Sequence, residues 1–254
     1  MALFVDGPAC TIEDLTDQDA GLLEVALANN INISTKLRLA VEEIRTDLYL
    51  WLHRPRPTLE VLWGASLRIE QIVITPPLKR WETMHALALV YRDAYFSQLV
   101  NRYQEKWQEY GRLTRDASES FIASGLGLVS DPVIQAAPPV LSTTPGPQSG
   151  GVFYASVAWV NSTNQAGAPS FASSMTVADG NLMTVGVTGA PQNAVGFNVY
   201  AGTSLTAMFL QNNVLLPVGA THLYLPGQIT QGPLPGAGQM PDFMRPLART
   251  ILRG

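Results

Sequence analysis

The most conspicuous shortage in this 254-residue chain is charge, and it is local. Between Pro132 and Pro241 there is one charged residue, Asp179, in 110 positions. Cysteine is nearly missing as well. Cys10 stands alone, which excludes an intramolecular disulfide and a cysteine-rich zinc site and suits folding in a reducing compartment. No run approaches about 20 apolar residues, so no transmembrane helix is expected. The first residues, with Asp6, Gly7, Pro8, Glu13 and Asp14, lack the basic-then-apolar order of a signal peptide. A net charge of −4 gives no general electrostatic case for nucleic-acid binding.

Catalytic and cofactor signatures are missing too. There is no Walker A sequence, no Gly-x-Ser-x-Gly, no His-Glu-x-x-His and no EF-hand loop. Glu82 and His85 match Glu-x-x-His, half of a di-iron bundle motif. The other histidines, His53 and His222, have no Glu three residues before them, so a structural role is expected. Glu42 and Glu43 are neighbours on a helix and point to different faces, which disfavours a paired acid/base role. Cys10 has no basic neighbour in sequence and reads as inert. Gly125 to Gly127 reads as a helix C-cap and hinge rather than a phosphate loop. Neither an enzyme nor a cofactor is indicated.

What is present divides the chain. Residues 1–131 carry 13 of the 16 basic and 18 of the 20 acidic residues, whereas 132–241 hold 12 of 18 prolines and 14 of 21 glycines. The expected fold class is α+β as two separate domains. A helical domain over 1–131 is followed by an antiparallel β-sandwich with its linker over 132–241, then a short basic tail over 242–254.

In the helical part, Thr16 is a candidate N-cap, with Asp17 and Asp19 at the positive helix end, and Asn29-Asn30 a stop. Ser34 can cap a second helix to about Leu52, with Leu37, Val41, Ile44, Leu48 and Trp51 as its apolar stripe. Residues 59–75 are ambiguous, with a short helix favoured over 66–72. From Pro76-Pro77 one long helix is expected to about Ser124. Tyr91, Tyr95, Leu99, Tyr103 and Trp107 fall four apart and form an aromatic edge along it. That edge can bury against the other helices, or its far end, with Tyr103, Trp107 and Tyr110, can pack on another subunit. The two are compatible.

In the neutral part, strand-like runs occur at 152–160, 171–177, 182–187, 197–200, 207–210 and 222–225, after a Pro/Ser/Thr/Gly linker and first edge strand. Turn signals separate them. Trp159 is a candidate core aromatic. In the tail, Arg245, Arg249 and Arg253 share one face if helical, and Phe243, Leu247 and Ile251 another. It reads as an ordinary solvated terminus, as a docking arm, or as a weak DNA contact.

Two resemblances arise from particular residues. Tyr154 to Asn161, Gly167-Ala168-Pro169-Ser170 and Gly196 to Gly202, followed by Leu210-Gln211-Asn212, resemble the fibronectin type III and immunoglobulin-like modules of tailed-phage virion proteins. Leu15-Thr16-Asp17, Leu78 to Trp81 and Val90 to Tyr95 resemble segments of phage head-to-tail adaptor (connector) proteins. The resemblance implies a virion-neck protein, assembled in the host cytoplasm, whose subunits form a ring of twelve under the portal protein. It also implies contacts with tail or other neck proteins, and with capsid protein through the sandwich. DNA would be present only as channel content, and no membrane is involved. Expected partner contacts are Tyr103, Trp107, Tyr110, Arg245, Leu247, Arg249, Ile251 and Arg253. An alternative is a virion surface-binding or decoration module in which Tyr154, Tyr200 or Tyr224 stacks sugars or the sandwich holds another virion protein. The same tyrosines can equally be core or ordinary strand residues.

Overall fold

The computed structural model describes residues 2–52, 67–98 and 101–247. They form two compact units. One comprises residues 7–128 with 241–247, the other 2–6 with 129–240. Both chain ends thus belong to the opposite unit from the one their neighbours in sequence would suggest.

The first unit is helical: α1 (Ile12–Gln18), α2 (Leu22–Ala28), α3 (Ile33–Leu52), α4 (Pro76–Gln98) and α5 (Gln104–Ser124). The single helix expected from a Thr16 cap to Asn29 is corrected to two: α1 starts earlier, Asp19 is its C-cap rather than part of a first turn, and α2 begins after Gly21. Thr11 caps α1, accepting from the Asp14 N–H while Asp14 accepts from the Thr11 N–H, a reciprocal capping box. Thr16 is inside the helix and donates to the Glu13 carbonyl. At α3 the cap is Asn32, whose side chain accepts from the Thr35 N–H, not Ser34. Its stripe Leu37, Val41, Ile44 and Leu48 is buried as expected. Of the ambiguous stretch, the described residues form a 3-10 turn at Ile69–Gln71. Residues 59–66 lie outside the described residues.

The single long helix is corrected to two. Between α4 and α5 the chain makes a 3-10 turn, Asn101–Tyr103, and reverses. Trp81 meets Phe121, Tyr91 meets Tyr110 and Tyr95 meets Trp107, with ring centroids 5.4–5.6 Å apart. As one number rises the other falls, so the helices are antiparallel. A four-residue aromatic spacing fits one long edge or two facing edges equally well. Folding back wins because it buries both edges against each other.

Gly125 ends α5 with φ +86°, and an added Cβ would lie 2.8 Å from the Arg245 carbonyl oxygen. That close approach and the positive φ both require glycine. A two-stranded sheet follows, β1 (Leu126–Leu128) antiparallel to β10 (Phe243–Arg245). Gly127 is therefore a strand residue, not a hinge. The helical reading of the tail is corrected over Phe243–Arg245: these residues complete a sheet whose donors and acceptors would otherwise be open.

The second unit holds two antiparallel sheets. One has the order β2 (Val140–Pro145), β5 (Asn181–Gly186), β9 (Thr221–Tyr224). The other runs β4 (Ser173–Val177), β3 (Gly151–Asn161), β6 (Ala194–Gly202), β7 (Phe209–Leu210), with β8 (Leu216–Pro217) also on β6. Alternation along β3 sends Phe153, Ala155, Val157 and Trp159 into a core shared with Met183 and Val185 of β5, Phe197 and Val199 of β6 and Tyr224 of β9. Asn161 ends β3. Its side-chain oxygen accepts from the Thr163 and Gln165 N–H groups, and its amide donates to the Asp131 carbonyl.

Candidate functional site

Among the described residues of the helical unit, polar clusters at Asp19, at Glu82 and at Glu43 with His85 stand beside surface ion pairs such as Lys36 with Asp93 and Lys79 with Asp14. The most fully built centres on Asp19, in the break between α1 and α2. One carboxylate oxygen accepts from the Tyr91 hydroxyl at 2.8 Å, the Tyr110 hydroxyl at 2.8 Å and the Lys106 ammonium at 2.7 Å. The other accepts from the Gly21 N–H. Burial pushes this carboxyl up, but the bonds from Lys106, Tyr91, Tyr110 and Gly21 outweigh it and hold Asp19 below the usual range. Burial first, then the charge and hydrogen bond of Asp19, push both phenols above theirs. The tyrosines are thus neutral donors to a fixed anion. With all its partners internal, the cluster ties α1, α4 and α5 together rather than offering a base or nucleophile.

Glu82 is the second. It is fully buried on α4, and one oxygen accepts from the Ala9 and Cys10 N–H groups and the Cys10 thiol. Its other oxygen has no partner among the described residues. Burial raises this carboxyl above its ordinary value despite those bonds, and burial with the nearby Glu82 raises the Cys10 thiol. The raised carboxyl fixes the sign of a test. Glu82 costs nothing below its unfolded value near pH 4.5, and stability falls as pH rises toward its higher folded value. Glu82→Gln should flatten that decline. Urea midpoints from pH 5 to 8 check this, and an unchanged slope would refute it.

The third cluster lines an open groove of about 620 Å³ between α3, α4 and α5. Glu43 and Asp47 come from α3, Trp81 and His85 from α4, and Arg115 and Glu119 from α5. His85 Nε2 lies 2.5 Å from the Glu43 carboxylate. Glu82 and His85 therefore face different partners, and the Glu-x-x-His pattern builds no site. No group of three or more His, Cys, Asp or Glu could hold a metal ion among the described residues.

The expected partner-contact residues are dispersed. Tyr103 and Tyr110 are buried, at 5 % and 4 % exposure. Their rings pack on Tyr91, so their expected role facing another subunit is corrected: the hairpin itself covers them. Trp107 is half-buried and stacks on Tyr95. Arg245 is in β10 and Leu247 follows it, while Arg249, Ile251 and Arg253 lie outside the described residues. Of the sugar-stacking candidates, Tyr224 lies in the sandwich core against Phe153, and Tyr200 is buried with Ala158 and Met208. Tyr154 alone is half-exposed. Sequence reasoning missed the Asp19 cluster and the groove. Both exist only because α4 and α5 reverse, and no residue pattern marked that reversal.

Among the described residues no helix is long and apolar enough to cross a membrane. The chain matches no protein-family model, no curated protein and no solved structure.

Proposed function

We propose that this chain is a structural adaptor of a tailed-phage neck. In this reading its copies form a closed ring, twelve in the resembled family, between the portal and the tail or other neck proteins. The sandwich is an immunoglobulin or fibronectin III-like module that faces capsid or neighbouring neck proteins.

The observation that carries the reading is the pairing of a helical unit with this particular sandwich. The order β4-β3-β6-β7 in one sheet, opposite β2-β5-β9 in the other, supports a two-sheet layout of the kind such modules have. Leu23 and Leu27, one turn apart on α2, are exposed, Leu27 at 86 %, which supplies apolar surface for a neighbouring copy. The clusters at Asp19 and Glu82 are engaged in holding the helices, which favours assembly over catalysis. Burial of Tyr200 and Tyr224 weighs against sugar stacking.

Ring subunits meet through two different surfaces, and the ring closes only when the rotation is right. Native mass spectrometry of the full chain, with and without portal protein, should give a closed ring or portal-dependent ring formation. A monomer indifferent to the portal would overturn the reading.

A further inference from the structure

The outermost strand of a sheet carries a row of N–H and C=O groups with no ladder partner. Folded proteins blunt such edges with charge, proline, a bulge, shortness or a cover. Most edges of this sandwich are blunted in these ways. β2 ends in Pro145 and follows Pro138-Pro139. β9 is four residues long, and Pro226 comes soon after it. β8 contains Pro217, and the outward Leu210 N–H of β7 donates to the Pro233 carbonyl.

β4 has none of these devices. Its five residues, Ser173-Ser174-Met175-Thr176-Val177, include no charge and no proline, and they pair with β3 without a bulge. Among the described residues β3 is the only strand it pairs with. Met175 and Val177 pack on the sandwich core, whereas Ser174 and Thr176 are exposed on the opposite face. Beside them on β3 stand Tyr154, opposite Ser174, and Val152, opposite Thr176 and 47 % exposed. Phe171, 75 % exposed, lies just before the strand.

This edge is its own complement. When an antiparallel copy is turned about a two-fold axis through Met175, Ser174 meets Thr176 and Ser173 meets Val177, and each side chain stays on its own face. The outer face then gains two Ser–Thr hydroxyl pairs, a favourable cross-strand combination. Val152 and Tyr154 of both copies extend those rows. No like charges meet, because the strand has no charge, and Asp179 beyond it already accepts from the Gly150 N–H. The same neutrality offers nothing to a charged partner. We infer that β4 is a joint between two copies of this chain, whose sandwiches pair edge to edge into one continuous sheet. The joint goes beyond the neck-adaptor reading and does not depend on it. A contact this short makes it reversible and dependent on concentration.

Sedimentation velocity of the full chain from about 1 to about 500 μM tests it. Particle mass should double with concentration, from monomer to dimer or from ring to paired rings. Ser174→Lys with Thr176→Lys sets like charges opposite each other and should move the doubling about tenfold or more higher in concentration. Ser174→Thr with Thr176→Ser, which only exchanges the hydroxyl residues, should leave it in place. Both positions are exposed, so the fold tolerates these changes. The register is read by oxidising a Ser174→Cys chain and a Thr176→Cys chain, separately and mixed. The mixture should form disulfide-linked dimers about tenfold faster than either chain alone, since only unlike positions lie directly opposite. Cys10 is buried and sets the background. No mass doubling, doubling unchanged in the lysine variant, or equal cross-linking of mixed and separate chains would each overturn the inference. A closed ring that forms without any of these β4 signatures would keep the adaptor reading and remove the joint.

Discussion

Asp19→Ala should be the most damaging single change in the helical unit, costing about 3 kcal/mol by urea denaturation. The substitution strands the Tyr91 and Tyr110 hydroxyls, both held at 2.8 Å by one carboxylate oxygen. Leaving buried donors unpaired costs more than the bonds themselves contribute. The Lys106 ion pair adds less, because that side chain is 45 % exposed and solvent screens it. The sign with pH follows from the depressed carboxyl. Its stabilisation is complete above the unfolded value near 3.9 and is lost as pH falls through the lower folded value. Wild type and Asp19→Ala should therefore differ most near neutrality and converge in acid. A constant difference down to pH 2 would show that packing, not the anion, is what the variant removes. Tyr91→Phe and Tyr110→Phe should each cost about 1 kcal/mol.

Trp159→Ala should cost about 4 kcal/mol in the sandwich, since large-to-small changes in a closed core lose transfer energy and leave a cavity. Trp159 is 1 % exposed and meets Phe197 edge to face at 5.7 Å, directly across β3 and β6. Both sheets line the space its ring fills, so the cavity cannot collapse without moving a strand. Hydrogen exchange should report the loss in β3 and β6, whose pairing the ring supports. A cost under about 1 kcal/mol would mean that the site repacks. Trp159→Phe, which keeps most of the apolar volume, should recover a large part of the loss.

The sandwich was the more legible half. Strands such as 152–160 and 182–187 announce themselves through period-two alternation between turn residues, and their observed limits differ by a residue or so. The short β7 and β8 carry too few residues for alternation to register. β1 and β10 are three residues each, and each makes sense only beside a partner far away in sequence. Periodicity marked α3 and its buried stripe, but neither the break between α1 and α2 nor the caps were legible. Thr11, Thr16 and Asn32 are all good cap residues by type, and backbone geometry chooses among them. The hairpin was hidden for a deeper reason. A stripe of aromatics reports that a face is buried and is silent on what buries it. Neither proline nor glycine marks the reversal at 101–103. The Asp19 cluster and the groove inherited that silence, because they join residues on both sides of the turn.

The exchange of chain ends between the units bears on synthesis. Leu126 must wait for Arg245 before β1 has its partner, and Asp6 must wait for Gln135, whose N–H its carboxylate accepts. As the chain leaves the ribosome, the helices can gather early, but their closing strand is translated only after the sandwich. The helical unit therefore emerges with one edge of β1 open, a template for stray pairing until translation passes residue 245. The late strand acts as a completion mark: nascent chains stalled in the sandwich should retain a protease-sensitive β1, and release of the finished chain should close it.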